Sequence, residues 1–287
     1  MLTQIHHITI HVGSIAVALR RYTAFGLVCL RHTSLEAWLS APNCLILLRV
    51  PEHPVPNDRI IFDSGFSHCC IQTPSISHFF DKIANTDVRP RSQPVDLGTG
   101  HRYAYLDDGD AIVTECEGVP YAPPEQTAWL AHVAIATANL ERLGAFYGAL
   151  TGGSIRTSAL IADNPGIDTI AQRTGIRAQA AWIRGLNLTI ELWQFHSPQT
   201  TRQPLRDREM VGYASMSFVC NDLQSAQDHL VQGGATMDPL DPSGTRWFDP
   251  DGNGIELITT ATAAALGLGT RSEPGIIARI ESLWRAT

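Results

Sequence analysis

The stretch HITIHVGSI (7–15) decides the fold, because it returns as HCCIQTPSI (68–76), HVAIATANL (132–140) and SMSFVCNDL (215–223). Each copy opens on His or Ser and alternates apolar residues as a half-buried strand does. Each then reaches Ser14, Ser75, Asn139 or Asp222, residues suited to capping a helix N-terminus. Apolar residues follow at helical spacing: Ile15, Leu19 and Tyr22; Ile76, Phe80 and Ile83; Leu140, Leu143 and Tyr147; Leu223, Ala226 and Leu230. Strand, cap and helix thus recur four times, and a repeat of this length sets the architecture.

Behind each helix come β-like runs punctuated by glycine or proline, ending in CLILLRV (44–50), AIVTECEG (111–118), LTIELWQF (188–195) and GIELITT (254–260). The unit is a βαβββ module, and the fold class is α+β. The proline-rich run EGVPYAPPEQTA (117–128) has the composition of a linker. It predicts an N-terminal domain over 1–117 with two modules, a linker over 118–128 and a C-terminal domain over 129–262 with the other two. A helical tail is expected over 263–287, where Ile276, Ile277, Ile280 and Trp284 form one apolar stripe for packing on this chain or a second copy. A second polar stretch, HSPQTTRQPLRDRE (196–209), joins modules three and four.

The 287 residues are 44% hydrophobic and 17% charged, the balance of a globular protein with a sizeable core. A net charge of −7 without a basic run argues against a nucleic-acid partner. No stretch has the length and apolarity of a membrane span, and the N-terminus lacks the flank of a signal peptide. The expectation is a cytoplasmic protein acting on a small molecule, without nucleic-acid or membrane partners, able to form a homodimer. Six cysteines without CxxC spacing read as buried free thiols. His6 is expected on the solvent side of its strand and His11 in a pocket wall. Trp38, Trp182, Trp193 and Trp247 read as core residues.

Paired βαβββ modules with FYGALTGG (146–153), IELWQF (190–195) and FDPDGNGIEL (248–257) resemble the vicinal oxygen chelate superfamily, which includes glyoxalase I, extradiol dioxygenases, epimerases and bleomycin-resistance proteins. The resemblance covers roughly residues 3–262 and implies two glyoxalase-like domains, each folding its modules into a cleft. It further implies a divalent metal held by the first and last strands of each module. Carried over, it offers His7, His68 and Glu115 in the N-terminal half, with Leu47 at the fourth position. Two imidazoles and a carboxylate make a facial triad suited to Fe(II), with Mn(II), Ni(II) or Zn(II) as alternatives. Tyr105 and His101 are the candidate catalytic side chains beside it. The C-terminal half offers His132, Glu191 and Glu256 as a second candidate site, with Ser215 where a histidine is usual. Three functions stay open: a non-haem Fe(II) dioxygenase, a metal-dependent lyase or isomerase of glyoxalase or epimerase type, and a drug- or metabolite-binding protein without catalysis.

Overall fold

A computed structural model of the chain describes residues 2–269 and 271–284, without the side chain of Trp284. All four modules are present in chain order. Module one is β1 (Leu2–His11), α1 (Ile15–Ala24), β2 (Val28–His32), β3 (Glu36–Ser40) and β4 (Leu45–Arg49). Module two is β5 (Gly65–Thr73), α2 (Ile76–Ile83), β6 (Arg89–Pro90), β7 (Arg102–Asp107) and β8 (Val113–Gly118). Module three is β9 (Trp129–Ala136), α3 (Leu140–Thr151), β10 (Ser154–Thr157), β11 (Arg177–Arg184) and β12 (Thr189–Ser197), with an inserted helix α4 (Pro165–Ala171). Module four is β13 (Gly212–Cys220), α5 (Leu223–Gln232), β14 (Thr236–Met237), β15 (Arg246–Phe248) and β16 (Gly254–Thr259). Helices α6 (Thr260–Ala265) and α7 (Ile276–Trp284) follow.

The repeated cap positions do what their chemistry suggests in three modules. Ser75 accepts from the His78 N–H, Asn139 from Arg142 and Asp222 from Ser225, whereas the Ser14 side chain makes no cap bond. Helix α3 ends at Gly152, whose φ of 65° is cheap only for glycine.

The modules pair differently from the chain-order expectation. One eight-stranded sheet runs β14-β15-β16-β13-β1-β4-β3-β2 and so joins modules four and one. The other runs β10-β11-β12-β9-β5-β8-β7-β6 and joins modules three and two. The first strands form both seams, β1 antiparallel to β13 and β5 antiparallel to β9. The proline-rich segment before β9 therefore connects two neighbours of one sheet instead of separating two sheets. Proline content marks a loop but carries no information about where the loop leads.

One apolar core spans both sheets, drawing Ile5, Ile8 and Ile10 from β1 and Val133, Ile135 and Leu143 from module three. Two buried asparagines at equivalent positions stitch the sheets together. The Asn187 amide donates to the carbonyls of Ile5 and Asn43 and accepts from the Ile5 N–H, at 2.8–2.9 Å. Asn43 in turn donates to the carbonyls of Leu130 and Asn187. Buried backbone groups at the inter-sheet boundary are satisfied this way. Ile276 and Ile280 of α7 pack on Val119, Ala122 and Trp129 of the same chain, so this part of the predicted stripe is used internally. The predicted contact of Trp284 lies outside the described residues.

Candidate metal centre

Register brings four side chains to one face of the module two and three sheet. Cys70 lies opposite His132 on the antiparallel β5–β9 pair and opposite Glu115 on the parallel β5–β8 pair. Side chains two apart on a strand share a face, so His68, His132 and Glu115 converge. Glu191 on β12 lies opposite Ala134, two residues from His132, and joins them. The Nε2 atoms of His68 and His132 stand 3.4 Å apart. His132 Nε2 lies 3.0 Å from Glu115 Oε2 and 3.2 Å from Glu191 Oε2, and His68 Nε2 lies 3.7 Å from each. All four residues come from the first or last strand of modules two and three.

His68, Glu115 and His132 bring ligand atoms within 4.8 Å of one another, a donor set whose chemistry fits a divalent ion, and Glu191 stands against both imidazoles. Imidazole nitrogen and carboxylate oxygen bind such ions at about 2.0–2.2 Å, which places neighbouring ligand atoms about 3.0–3.4 Å apart. Burial opposes charge on His132, yet Glu191 and Glu115 outweigh it and raise the imidazole to about 9. Burial likewise opposes ionisation of Glu115, but bonds and charge from His132 and His68 hold its carboxyl well below the usual carboxylate range. The His132 imidazolium thus supplies positive charge beside the buried carboxylates.

Glu191 is fixed by its neighbours. The Trp182 indole N–H donates to Oε1 and the Trp193 N–H to Oε2, both at 2.7 Å. Both tryptophans, expected in the core, thus hold a site carboxylate in place. The available signal was register: Trp193 is two residues from Glu191 on the same face, and Trp182 is its cross-strand partner. Tyr105 lies opposite Glu115 with its ring 5.0 Å from that of His68. Burial, followed by Glu115 and Glu191, pushes its phenol well above the usual range, so it stays protonated. Apolar residues wall the face around Tyr105 and Trp193, among them Phe62, Phe195 and, from α4, Ile170. His101 pairs instead with Glu117 and lies with its ring near those of Tyr103 and Tyr121.

The expected grouping of His7 with His68 and Glu115 does not form, because His7 belongs to the other sheet. Both its ring nitrogens are engaged, Nδ1 with His6 Nδ1 at 2.9 Å and Nε2 with Ser217 Oγ at 3.0 Å. Burial, then His6 and Arg49, keeps it neutral. His6, expected on the solvent side, is buried. The second expected grouping also divides: His132 and Glu191 join His68 and Glu115, while Glu256 lies 3.6 Å from His7 and accepts from Ser217 at 2.6 Å. In this second cleft the positions equivalent to His68 and Glu191 are Ser215 and Leu47. Each expected set combines residues of two clefts, because the sheets join module two with three and module one with four instead of neighbours in chain order.

Residues 129–257 match the family model described as Glyoxalase/Bleomycin resistance protein/Dioxygenase superfamily. No curated protein sequence matches the chain. Among solved structures, glyoxalase I from Zea mays is similar with a TM-score of 0.68 and 18% identity, over 92% of this chain and 95% of that one. A protein described as a putative dioxygenase from Bacillus subtilis subsp. subtilis str. 168 is similar with a TM-score of 0.59 and 11% identity, over 98% of this chain and 96% of that one. At these identities the likeness is one of fold. Modules three and four thus match the Glyoxalase/Bleomycin resistance protein/Dioxygenase superfamily in sequence, and the four βαβββ modules in two sheets share the fold of these solved structures.

Proposed function

We propose that this protein is a divalent-metal-dependent lyase or isomerase that moves a proton between carbons bearing vicinal oxygens, with His68, Glu115, His132 and Glu191 as the metal ligands. The observation that carries this reading is Glu191. A dioxygenase triad uses three protein ligands and leaves open positions, whereas here a fourth donor is held in place by two indole N–H groups. A mixed imidazole and carboxylate set suits Zn(II), Ni(II), Fe(II) or Mn(II). Such an ion would polarise the substrate oxygens and make the neighbouring C–H more acidic.

The two carboxylates divide the work by how they are held. Glu191 has both oxygens occupied by indole donors and serves as the fixed ligand. Glu115 faces the imidazoles and Tyr105 without an indole clamp, and it takes the proton from one carbon and returns it to the next. Tyr105, kept protonated, donates a hydrogen bond to substrate oxygen. The apolar wall of Phe62, Phe195 and Ile170 excludes water and favours a substrate whose unreactive end is apolar.

The test uses α-hydroxyacetophenone, which combines vicinal oxygens with an aromatic end. Metal-loaded protein should exchange its α-protons with deuterated water without oxygen uptake, and Glu115→Gln should slow exchange by about 10²–10⁴-fold. Oxygen consumption without exchange would reject the proposal. It would favour a non-haem Fe(II) dioxygenase, the second reading, which the position of Tyr105 beside His68 supports.

A further inference from the structure

The sheet formed by modules one and four has a cleft of its own, of about 330 Å³, lined by residues that include Thr9, His11, Arg49, Ser215, Arg246 and Glu256. Register relates it position by position to the metal centre. Ser215 stands for His68 and Leu47 for Glu191, so two of the four ligand positions carry no ligand. Thr9 and His11 stand for Ala134 and Ala136 of β9. Arg49 stands for Trp193, and Arg246, opposite Glu256, stands for Tyr105, opposite Glu115. The cleft has thus exchanged metal ligands and aromatic rings for hydroxyls and guanidinium groups.

Among the described residues, Thr9 Oγ1, Ser215 Oγ and His11 Nδ1 stand there without a hydrogen-bond partner. Thr9 and Ser215 are only 2% and 6% exposed. Buried polar atoms without partners cost stability, and a set of them around one cavity points to a polar occupant. The guanidinium groups of the cleft are held by partners and share its lining with Glu52, Glu209, Asp238 and Glu256. Arg49 pairs with Glu36 at 3.0 Å and Arg246 with Glu256 at 3.4 Å, while Arg206 donates to the carbonyls of Asp207, Met210 and Gly212. Burial and the charges of Arg206 and Arg49 hold His11 at about 4, outweighing a backbone hydrogen bond to Met210 and the charge of Glu209, so its ring is neutral.

We infer that this second cleft binds a small hydroxy carboxylic acid directly, without a metal: its carboxylate meets Arg246, Arg49 and Arg206, and its hydroxyl meets Thr9, Ser215 and His11. A guanidinium recognises carboxylate by paired N–H donors, and a cavity of this size lies at the lower end of small-ligand sites. The inference concerns a different sheet from the proposed metal centre and stands independently of it.

The probe is malate, titrated calorimetrically into chelator-treated protein, with succinate to remove the hydroxyl and glycerol to remove the carboxylates. Malate should bind at one site per chain, with succinate about tenfold weaker and glycerol silent. Arg246→Met and Thr9→Val should each weaken malate about tenfold, while Glu191→Gln in the other sheet leaves it unchanged. Absence of malate binding overturns the inference. So does equal binding of malate and succinate, or malate binding that survives Arg246→Met and Thr9→Val. Failure of the metal centre would register separately, as absence of bound ion in untreated protein.

Discussion

Replacing His132 with alanine separates the observed ligand set from the one expected by chain order. Structural zinc sites with four protein ligands bind with about 10–16 kcal/mol, so on that scale one ligand accounts for about 2.5–4 kcal/mol, or about 10²–10³-fold in Kd. His132 is the most closely engaged member of the cluster, at 3.0 and 3.2 Å from the two carboxylates. Its removal also leaves Glu115 and Glu191 without the imidazolium between them, and an ion would relieve that repulsion. The loss should therefore fall in the lower part of the range, near 10²-fold. Competition with a chromophoric chelator gives Kd, and elemental analysis should find one ion per chain in the wild type. His7→Ala is the control and should leave both unchanged, because His7 lies in the other sheet against Ser217 and Glu256. Near-UV circular dichroism checks that each variant is folded, and His132→Gln repeats the test with a polar side chain. Loss of the ion in His7→Ala with retention in His132→Ala would refute the assignment.

Three further outcomes follow from the same geometry. Trp182→Phe removes an indole donor from Glu191 and should weaken metal binding about 10–100-fold, read by the same competition, while metal addition to the wild type should alter tryptophan fluorescence. Metal binding should strengthen as pH rises toward about 9, because the ion needs neutral imidazole and the carboxylates hold His132 protonated up to about 9. Titration at several pH values checks the slope, and a pH-independent Kd over that interval would contradict it. Asn187→Ala strands the Ile5 N–H and the Asn43 carbonyl at the boundary between the sheets and leaves the Ile5 carbonyl only the Cys44 thiol. At about 1–3 kcal/mol for each of the two orphaned groups, denaturant unfolding should show a loss of about 2–6 kcal/mol.

The sequence by itself determined the module. A strand, a capping residue and an amphipathic helix recur because period-two and helical spacing are local properties, and Ser75, Asn139 and Asp222 act as caps as their side-chain chemistry dictates. All four clustered residues could also be named as candidates, since each lies on the first or last strand of a module. Their grouping was decided only by tertiary structure. Strand pairing between modules depends on which first strands share a seam, and β5 with β9 and β1 with β13 are contacts that no periodicity encodes. The same pairing made Trp182 and Trp193 clamps for Glu191 and gathered Thr9, Ser215 and Arg246 around a separate cleft. A side chain's face is written in its own strand, but the partner across the sheet is fixed by the packing of the whole chain.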